Sequence, residues 1–353
     1  MKLEYIWLDG NDVQLLRSKT KVWKNTDRLE LSEVKLEHLP NWNYDGSSTN
    51  QAVTDNSELI LKPASIFINP LVDNSLLVMC EVYIDEDTPH PTNNRAEMMK
   101  SIEKFDDDSW YGYEQEYIIF DRSTGSPLGW PKAIGQEAYP APQGDYYCGV
   151  GSEHVAGREF VEEHLEACLE AGISISGINA EVLLGQWEYQ VGPVPATTNE
   201  RENNGADQLW ISRYLLYRLG EKYNYKINID PKPFQGKEWN GSGLHVNFST
   251  KELRENLDKK VEIAVSYCKK LEEEHKEYML VSGEGNEHRA TGENETASMD
   301  KFTWGEGDRT ASIRIPSSIN DDSTPGYIED RRPGSNADPY ILVNKLVNAI
   351  LGK

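Results

Sequence analysis

The chain is poor in cysteine, in positive charge and in long apolar runs. Its 353 residues hold four cysteines. Cys80, Cys148, Cys168 and Cys268 are scattered, with no CxxC pair and no zinc-like spacing. That excludes a disulfide scaffold and a structural zinc centre, and it reads as buried thiols in a reducing compartment. Lys and Arg number 36 against 59 Asp and Glu, a formal net charge of -23. A nucleic acid or an anionic membrane needs a basic footprint, so neither is expected as a partner. A nucleotide stays admissible, because a few local arginines and metals can meet its phosphates. No window approaches the ~20 apolar residues of a membrane span. The start, MKLEYIWLDG, meets Glu4 and Asp9 before the apolar core of a signal peptide can form, so a cytoplasmic protein is expected. There is no internal repeat and no low-complexity segment. The glycines of SGEGNEHRATGENE are followed by no GK[ST], which excludes a P-loop.

What the chain does have is a change of rhythm. The first ninety residues read as short strands and turns, among them KLEYIWLD, SKTKVW and SLLVMCEVYI. The stretch IDEDTPHPTNNR ends this pattern, and AEMMKSIEKF begins an amphipathic helix with Asn93 or Asn94 as its cap. Length alone allows about two domains, and the shift places them at 1–90 and 91–353. Beyond it strands and long helices alternate without a strict βαβ order. EQEYIIFD, a strand-turn-strand from Ile173 to Val191, and LHVNFS are strands; GREFVEEHLEACLEAG, DQLWISRYLLYRLGEKY and LDKKVEIAVSYCKKLEEEHKEYML are helices. This predicts an α+β fold with a mostly antiparallel sheet. Val194–Asp207 reads as a polar, solvated insertion, and Ser282–Glu295 as a glycine-rich loop able to move.

The chemistry lies in polar residues placed within apolar strands. Glu114 and Glu116, Glu188 and Gln190, His245 and Asn247, Ser312 and Arg314, and Glu329 and Arg331 are each spaced i, i+2. In a strand that spacing puts both side chains on one face. Glu181 stands in a similar apolar run, INAEVLLG. Any one such glutamate is ordinarily solvated or ion-paired. Several together, flanked by bulky apolar residues, need partners to justify burial. Carboxylates that close cannot all ionise without cations between them, and hard oxygen ligands select magnesium or manganese. Arginine forks beside metals describe a site for a polyanion, and phosphoryl transfer needs both. Read from the residues alone, this is a metal-dependent enzyme acting on an anionic substrate.

Eleven blocks, in order, resemble those of class II glutamine synthetases: WNYDGSST, EQEY, GWPK, PQGDYYCGVG, NAEV, QWEYQVGP, DPKP, WNGSGLHVNFST, GNEHRATG, SIRIP and GYIEDRRPGSNADPY. The resemblance covers essentially the whole chain. It implies an N-terminal β-grasp domain and a catalytic domain with a curved, mostly antiparallel sheet flanked by helices. It implies ligation of glutamate and ammonia with ATP as substrate, two or more Mg2+ or Mn2+ ions per site, and a γ-glutamyl phosphate intermediate. By the same resemblance Glu114, His245 and Glu329 hold one cation, and Glu116, Glu181 and Glu188 another. Arg289, Arg331, Asn240 and Glu181 contact glutamate; Arg309 and Arg314 meet phosphate. Asp45 is the general base, with Tyr147 and Glu295 completing the ammonium pocket. Trp110, Pro193, Asn247, Ser249, Arg314 and Tyr327 contact the nucleotide. The assembly implied is a homo-oligomer of pentameric rings, a decamer, with active sites between subunits. Where the family usually has ANR this chain has GDR, setting Asp308 against Arg309, and its 194–207 loop is longer than usual. Rival readings on the same scaffold are a γ-glutamyl-amine ligase, a guanidino kinase and a non-catalytic relative.

Overall fold

A computed structural model of the chain describes residues 1–106, 108–130, 143–196, 204–234, 238–294, 296–321 and 323–352. The N-terminal sheet is built from β1 (Lys2–Leu8), β2 (Leu16–Val22), β3 (Trp42–Asp45), β4 (Glu58–Ile68) and β5 (Ser75–Tyr83), in the order β2-β1-β5-β4-β3. β1 and β5 pair in parallel at its centre, and the remaining pairs are antiparallel. Central strands are buried on both faces, and β1 shows the consequence. Leu3, Tyr5 and Trp7 point into a core of the sheet's own, with Leu61, Leu76 and Val78. Ile6 and Leu8, one pleat over, join Leu77, Met79 and Phe67 in the main core of the molecule. Each fully buried side chain of this size contributes roughly 1.5–3 kcal/mol. The two-sided apolar pattern of β1 therefore docks the sheet as well as forming it.

The chain then passes through α1 (Asn94–Phe105), β6 (Trp110–Asp121), β7 (Ser126–Pro127), α2 (Arg158–Ala171), β8 (Ile175–Ala180), β9 (Gln186–Pro195), α3 (Gly205–Tyr223), β10 (Tyr225–Asn228) and β11 (Leu244–Ser249). It continues through α4 (Lys251–Glu255), α5 (Lys260–Glu273), α6 (His275–Met279), β12 (Trp304–Glu306), β13 (Ile313–Ile315), β14 (Ile328–Asp330) and α7 (Pro339–Ile350). The second sheet runs β12-β13-β14-β11-β6-β9-β8, with β7 and β10 also on β6. Among the described residues only the β12–β13 pair in it is parallel. Asn93, rather than Asn94, caps α1, its side chain accepting from the Ala96 amide at 3.1 Å. Gly172 ends α2 at φ 83°, a conformation glycine adopts without a Cβ penalty. Arg95 on α1 ties the two sheets together. Its Nε and Nη2 each donate to Asp207 on α3 at 2.9 Å, and its Nη1 to Glu81 on β5 at 2.9 Å.

Four sequence expectations are corrected here. Cys148 is exposed, while Cys80, Cys168 and Cys268 are buried; it stands in a glycine-rich loop at φ 53°, outside the apolar patterns that bury the others. Val194–Asp207 is not wholly a solvated insertion. Val194 and Pro195 finish β9, Gly205–Asp207 open α3, and Asp207 is fully buried because it answers the charge of Arg95. Residues 197–203 lie outside the described residues. The helix read from 257 to 280 is two helices, broken where Glu274 takes φ -96° and ψ 3°. Glu181 lies just past the end of β8 rather than within a strand.

Candidate active site

The register of the second sheet lines up the polar residues that the spacing had only placed on faces. On β6, Glu116 faces Glu188 of β9, and Glu114 faces His245 of β11. Asn247 of β11 faces Glu329 of β14, and Glu329 faces Arg314 of β13. A single row thus crosses five strands. The alternate residues of β6, Tyr113 and Tyr117, turn into the core behind it. The row opens on a cavity of about 620 Å³. Its walls carry five carboxylates, Glu114, Glu116, Glu181, Glu188 and Glu329, and four arginines, Arg289, Arg309, Arg314 and Arg331.

One end of the row balances its own charge. Glu114, His245 and Glu329 bring ligand atoms within 4.8 Å of one another, a set able to hold a metal ion. His245 Nδ1 lies 3.2 Å from Glu114 Oε2, and Asn247 Nδ2 donates to Glu114 Oε1 at 2.9 Å. Burial works against ionising Glu114, but its contacts with His245 and Asn247 outweigh it and lower the carboxyl to about 2. Arg314 Nη1 and Arg331 Nη1 donate to the two oxygens of Glu329 at 2.5 and 2.6 Å.

The other end does not balance. Burial, then the charge of Glu181, raises Glu116 to about 8. Burial, then Glu188, raises Glu181 to about 8, and burial with Glu114 and Glu116 pushes Glu188 well up. Like charges in a shared dry site take up protons unless a cation intervenes. A divalent ion bound by oxygen is what this donor set fits.

The remaining candidates divide between this cavity and a second one. Tyr147 and Asn240 also line the first, and Asn240 Oδ1 is buried without a protein partner among the described residues. Trp110, Pro193, Asn247, Ser249 and Tyr327 line an adjoining, mostly apolar cavity of about 550 Å³, and Glu114 and Gln190 belong to both walls. Asp45 does not join either cavity. It is exposed at the end of β3 in the N-terminal sheet, and its carboxylate accepts from Ser47 and Ser48. Glu295 lies outside the described residues. Asp308 turns from Arg309 into its own loop, taking the Thr310 amide at 2.8 Å and the Thr310 hydroxyl at 2.7 Å. Thr310 holds that carboxylate where the sequence set it against Arg309.

Sequence reading missed several supporting residues. Arg254 stacks over Trp110, 4.7 Å from the ring centroid, and is paired to Asp108 at 2.8 Å; nothing in KELRE signals this. Gln186 and Asn179 each donate to a cavity glutamate. Each is the first residue of a motif already quoted, NAEV and QWEYQVGP, which was the available clue.

The glutamine synthetase catalytic-domain family matches residues 90–275, more than half of the chain. Glutamine synthetase cytosolic isozyme 2 of Vitis vinifera is 44% identical over 353 residues, covering 99% of this chain and 93% of that protein. The chain belongs to the glutamine synthetase family. Cytosolic isozyme 1-3 of Arabidopsis thaliana is 44% identical across 99% of this chain and 94% of its own length. The glutamine synthetase of Colletotrichum gloeosporioides is 45% identical across 99% and 91%. Similarity to glutamine synthetases therefore extends through the N-terminal sheet as well as the cavity-bearing one.

Proposed function

We propose that this chain is an ATP-dependent glutamate–ammonia ligase that makes glutamine through γ-glutamyl phosphate. The observation that carries the reading is the five-strand row, in which carboxylates, a histidine and arginines share one cavity beside an apolar, tryptophan-lined one. Glu114, His245 and Glu329 would hold one divalent ion, Mg2+ or Mn2+, and Glu116, Glu181 and Glu188 another. Such ions, when bound, supply positive charge to the nucleotide phosphates and to the reacting carboxylate.

The chain's own groups do the rest. Trp110, Pro193, Asn247, Ser249 and Tyr327 seat the nucleotide beside Arg314. Arg331 spends Nε on the Arg309 carbonyl and Nη1 on Glu329, leaving Nη2 for a substrate carboxylate. Arg289 is buried beneath it, and with Asn240 and Glu181 it fixes glutamate so that the side-chain carboxylate can attack the terminal phosphate, with ADP as the leaving group. Arg309, exposed at the cavity, meets charge that develops on phosphate. Ser47 and Ser48 lower the Asp45 carboxyl to about 2. These contacts favour the anion, which suits Asp45 first to binding ammonium beside Tyr147 and Glu295. It accepts a proton from ammonium, and the ammonia so formed attacks the acyl phosphate and expels inorganic phosphate.

Asp45 lies on the N-terminal sheet and not in its own chain's cavity, which supports sites shared between subunits. A homo-oligomer of pentameric rings, stacked as a decamer, would bring Asp45 to a neighbour's cavity. The two separate sheets support reading 1–90 as an N-terminal unit and 91–353 as the catalytic unit. A cytoplasmic location fits the cytosolic naming of the plant relatives. No described helix is long and apolar enough to cross a membrane.

The test is phosphate release with ATP, glutamate and ammonium, against the same mixture with larger amines in place of ammonium. Ammonium-dependent release with glutamine formed is expected. Release that needs an alkylamine would assign a γ-glutamyl-amine ligase instead.

A further inference from the structure

Three of the cavity carboxylates are held by neutral amides. Asn179 Nδ2 donates to Glu181 Oε1 at 3.0 Å, Gln190 Nε2 donates to Glu188 Oε1, and Gln186 Nε2 donates to Glu116 Oε2 at 3.0 Å. Asn179 Oδ1 accepts in turn from the Gln190 amide at 2.8 Å, whereas Gln186 is fixed by a group that can only donate. The indole Nε1–H of Trp239 donates to Gln186 Oε1 at 3.0 Å. An indole N–H can only donate, so the amide cannot flip without losing that bond and setting its oxygen against a carboxylate. Gln186 is 1% exposed and Trp239 0%, leaving no water to repair a flipped amide. The NH2 group is further committed to the Gly241 carbonyl at 3.1 Å and to Ser242 Oγ at 3.2 Å.

The consequence falls on Glu116. Its Oε2 receives both Gln186 Nε2 and the Gly243 amide, the latter at 3.1 Å. Two N–H donors on one oxygen leave Oε1 as the coordinating atom. We propose that Trp239 and Gln186 are positioning residues that hold Glu116 as a one-oxygen ligand for a divalent cation. This rests on the assignment of Glu116, Glu181 and Glu188 to a cation. A ligand limited to one oxygen suits a small ion that keeps near-octahedral geometry and several waters. The outer partners of metal ligands typically control affinity by about 10–100-fold.

Direct Mn2+ titration of the assembled full-length protein, with free Mn2+ read by electron paramagnetic resonance, tests this without relying on turnover. Four proteins are compared: wild type, Trp239→Phe, Gln186→Leu and Glu188→Gln. Phenylalanine keeps an aromatic ring against Ile118 and Leu183, which pack on Trp239, and removes only the N–H. The expectation is one class of Mn2+ site weakened roughly tenfold in Trp239→Phe and about 10–100-fold in Gln186→Leu. The site at Glu114, His245 and Glu329 should keep its affinity, and the melting temperature of Trp239→Phe in chelator should stay near wild type. Wild-type Mn2+ affinity in both variants would overturn the proposal, even if either melts earlier. If Gln186→Leu does not assemble, Trp239→Phe decides alone. A wild type in which no Mn2+ site is lost on Glu188→Gln would overturn the cation assignment beneath it, a different result from intact binding in the positioning variants.

Discussion

Gly243 precedes β11 and holds Glu116 at two points through its backbone. Its amide donates to Glu116 Oε2, and its carbonyl accepts from the Glu116 amide, each at 3.1 Å. Its φ lies outside the left-handed region, so alanine could take the same backbone without strain. The obstacle is space alone. A Cβ there would stand 2.6 Å from Arg289 Nη2 and 2.9 Å from His245 Nε2. Ordinary contact begins near 3.4 Å, so the guanidinium must yield by roughly 0.8 Å. Arg289 is 5% exposed and lies among the carbonyls of Arg331 and Arg332 and the side chain of Asn286. Overpacking of this kind costs roughly 1–3 kcal/mol of stability. Misplacing a binding group by about 1 Å costs up to about 100-fold, or about 2.7 kcal/mol of transition-state binding. Gly243→Ala should therefore melt slightly earlier and lose roughly 10–100-fold in kcat/KM for glutamate. The assay is glutamate saturation at fixed ATP, together with a melting curve. Glutamate kinetics within about twofold of wild type would refute the reasoning, since no arrangement that keeps Arg289 in place accommodates the added carbon.

Glu181→Gln and Glu188→Gln should each lose part of the rise in melting temperature that Mg2+ or Mn2+ gives the wild type while keeping the fold, because each removes a charge that one of the cations offsets; an undiminished metal response in either would count against the assignment. Asp45→Ala and Arg331→Ala should each be inactive alone, yet regain part of the activity when dissociated, mixed and reassembled, since hybrid interfaces restore sites with both residues; mixed oligomers verified by mass but inactive would place both residues in one chain's site. His164 is buried with Nε2 donating to the Ser212 carbonyl, and burial lowers it to about 4. Its folded pKa is below the unfolded value of about 6.5, so its contribution is complete above that value and is lost as pH falls toward 4, by about 3 kcal/mol in all. Urea midpoints between pH 7 and 4 should fall less steeply in His164→Gln than in wild type, and parallel curves would exclude His164 as a source of acid sensitivity.

Period two made the site's faces legible in the sequence and left its register unread. That Glu114 and Glu116 project together follows from strand geometry alone. That Glu116 meets Glu188 while Glu114 meets His245 depends on which strands are neighbours, and pairs as far apart as 114 and 245 are not specified locally. Gly172, Asn93 and the apolar runs of β1 and β5 announced their elements because capping and burial are local signals. β4 carries Pro63 and a register shift between Pro63 and Ser65, which interrupts its strand pattern. Asp207 looked like loop because Asp and Asn favour turns; its burial is explained by Arg95 and Tyr340, each more than a hundred residues away. Gln186 reads as a polar residue at a strand start until Trp239 is seen to fix its amide.

The row also explains why so acidic a cavity is compatible with a folded sheet. At the β11–β14 end, His245 and Asn247 steady Glu114, and Arg314 and Arg331 take the two oxygens of Glu329. That half is electrically settled by the protein. At the β9 end the partners of Glu116, Glu181 and Glu188 are amides, which orient a carboxylate without cancelling its charge. Replacing those amides with lysine or arginine would offset the charge of the glutamates and weaken their attraction for a cation. Arginines where an anionic substrate must be gripped, and amides where a cation must be drawn in, are therefore complementary choices along one strand row. The larger excess of negative charge at the β9 end follows from which outer partner each glutamate has.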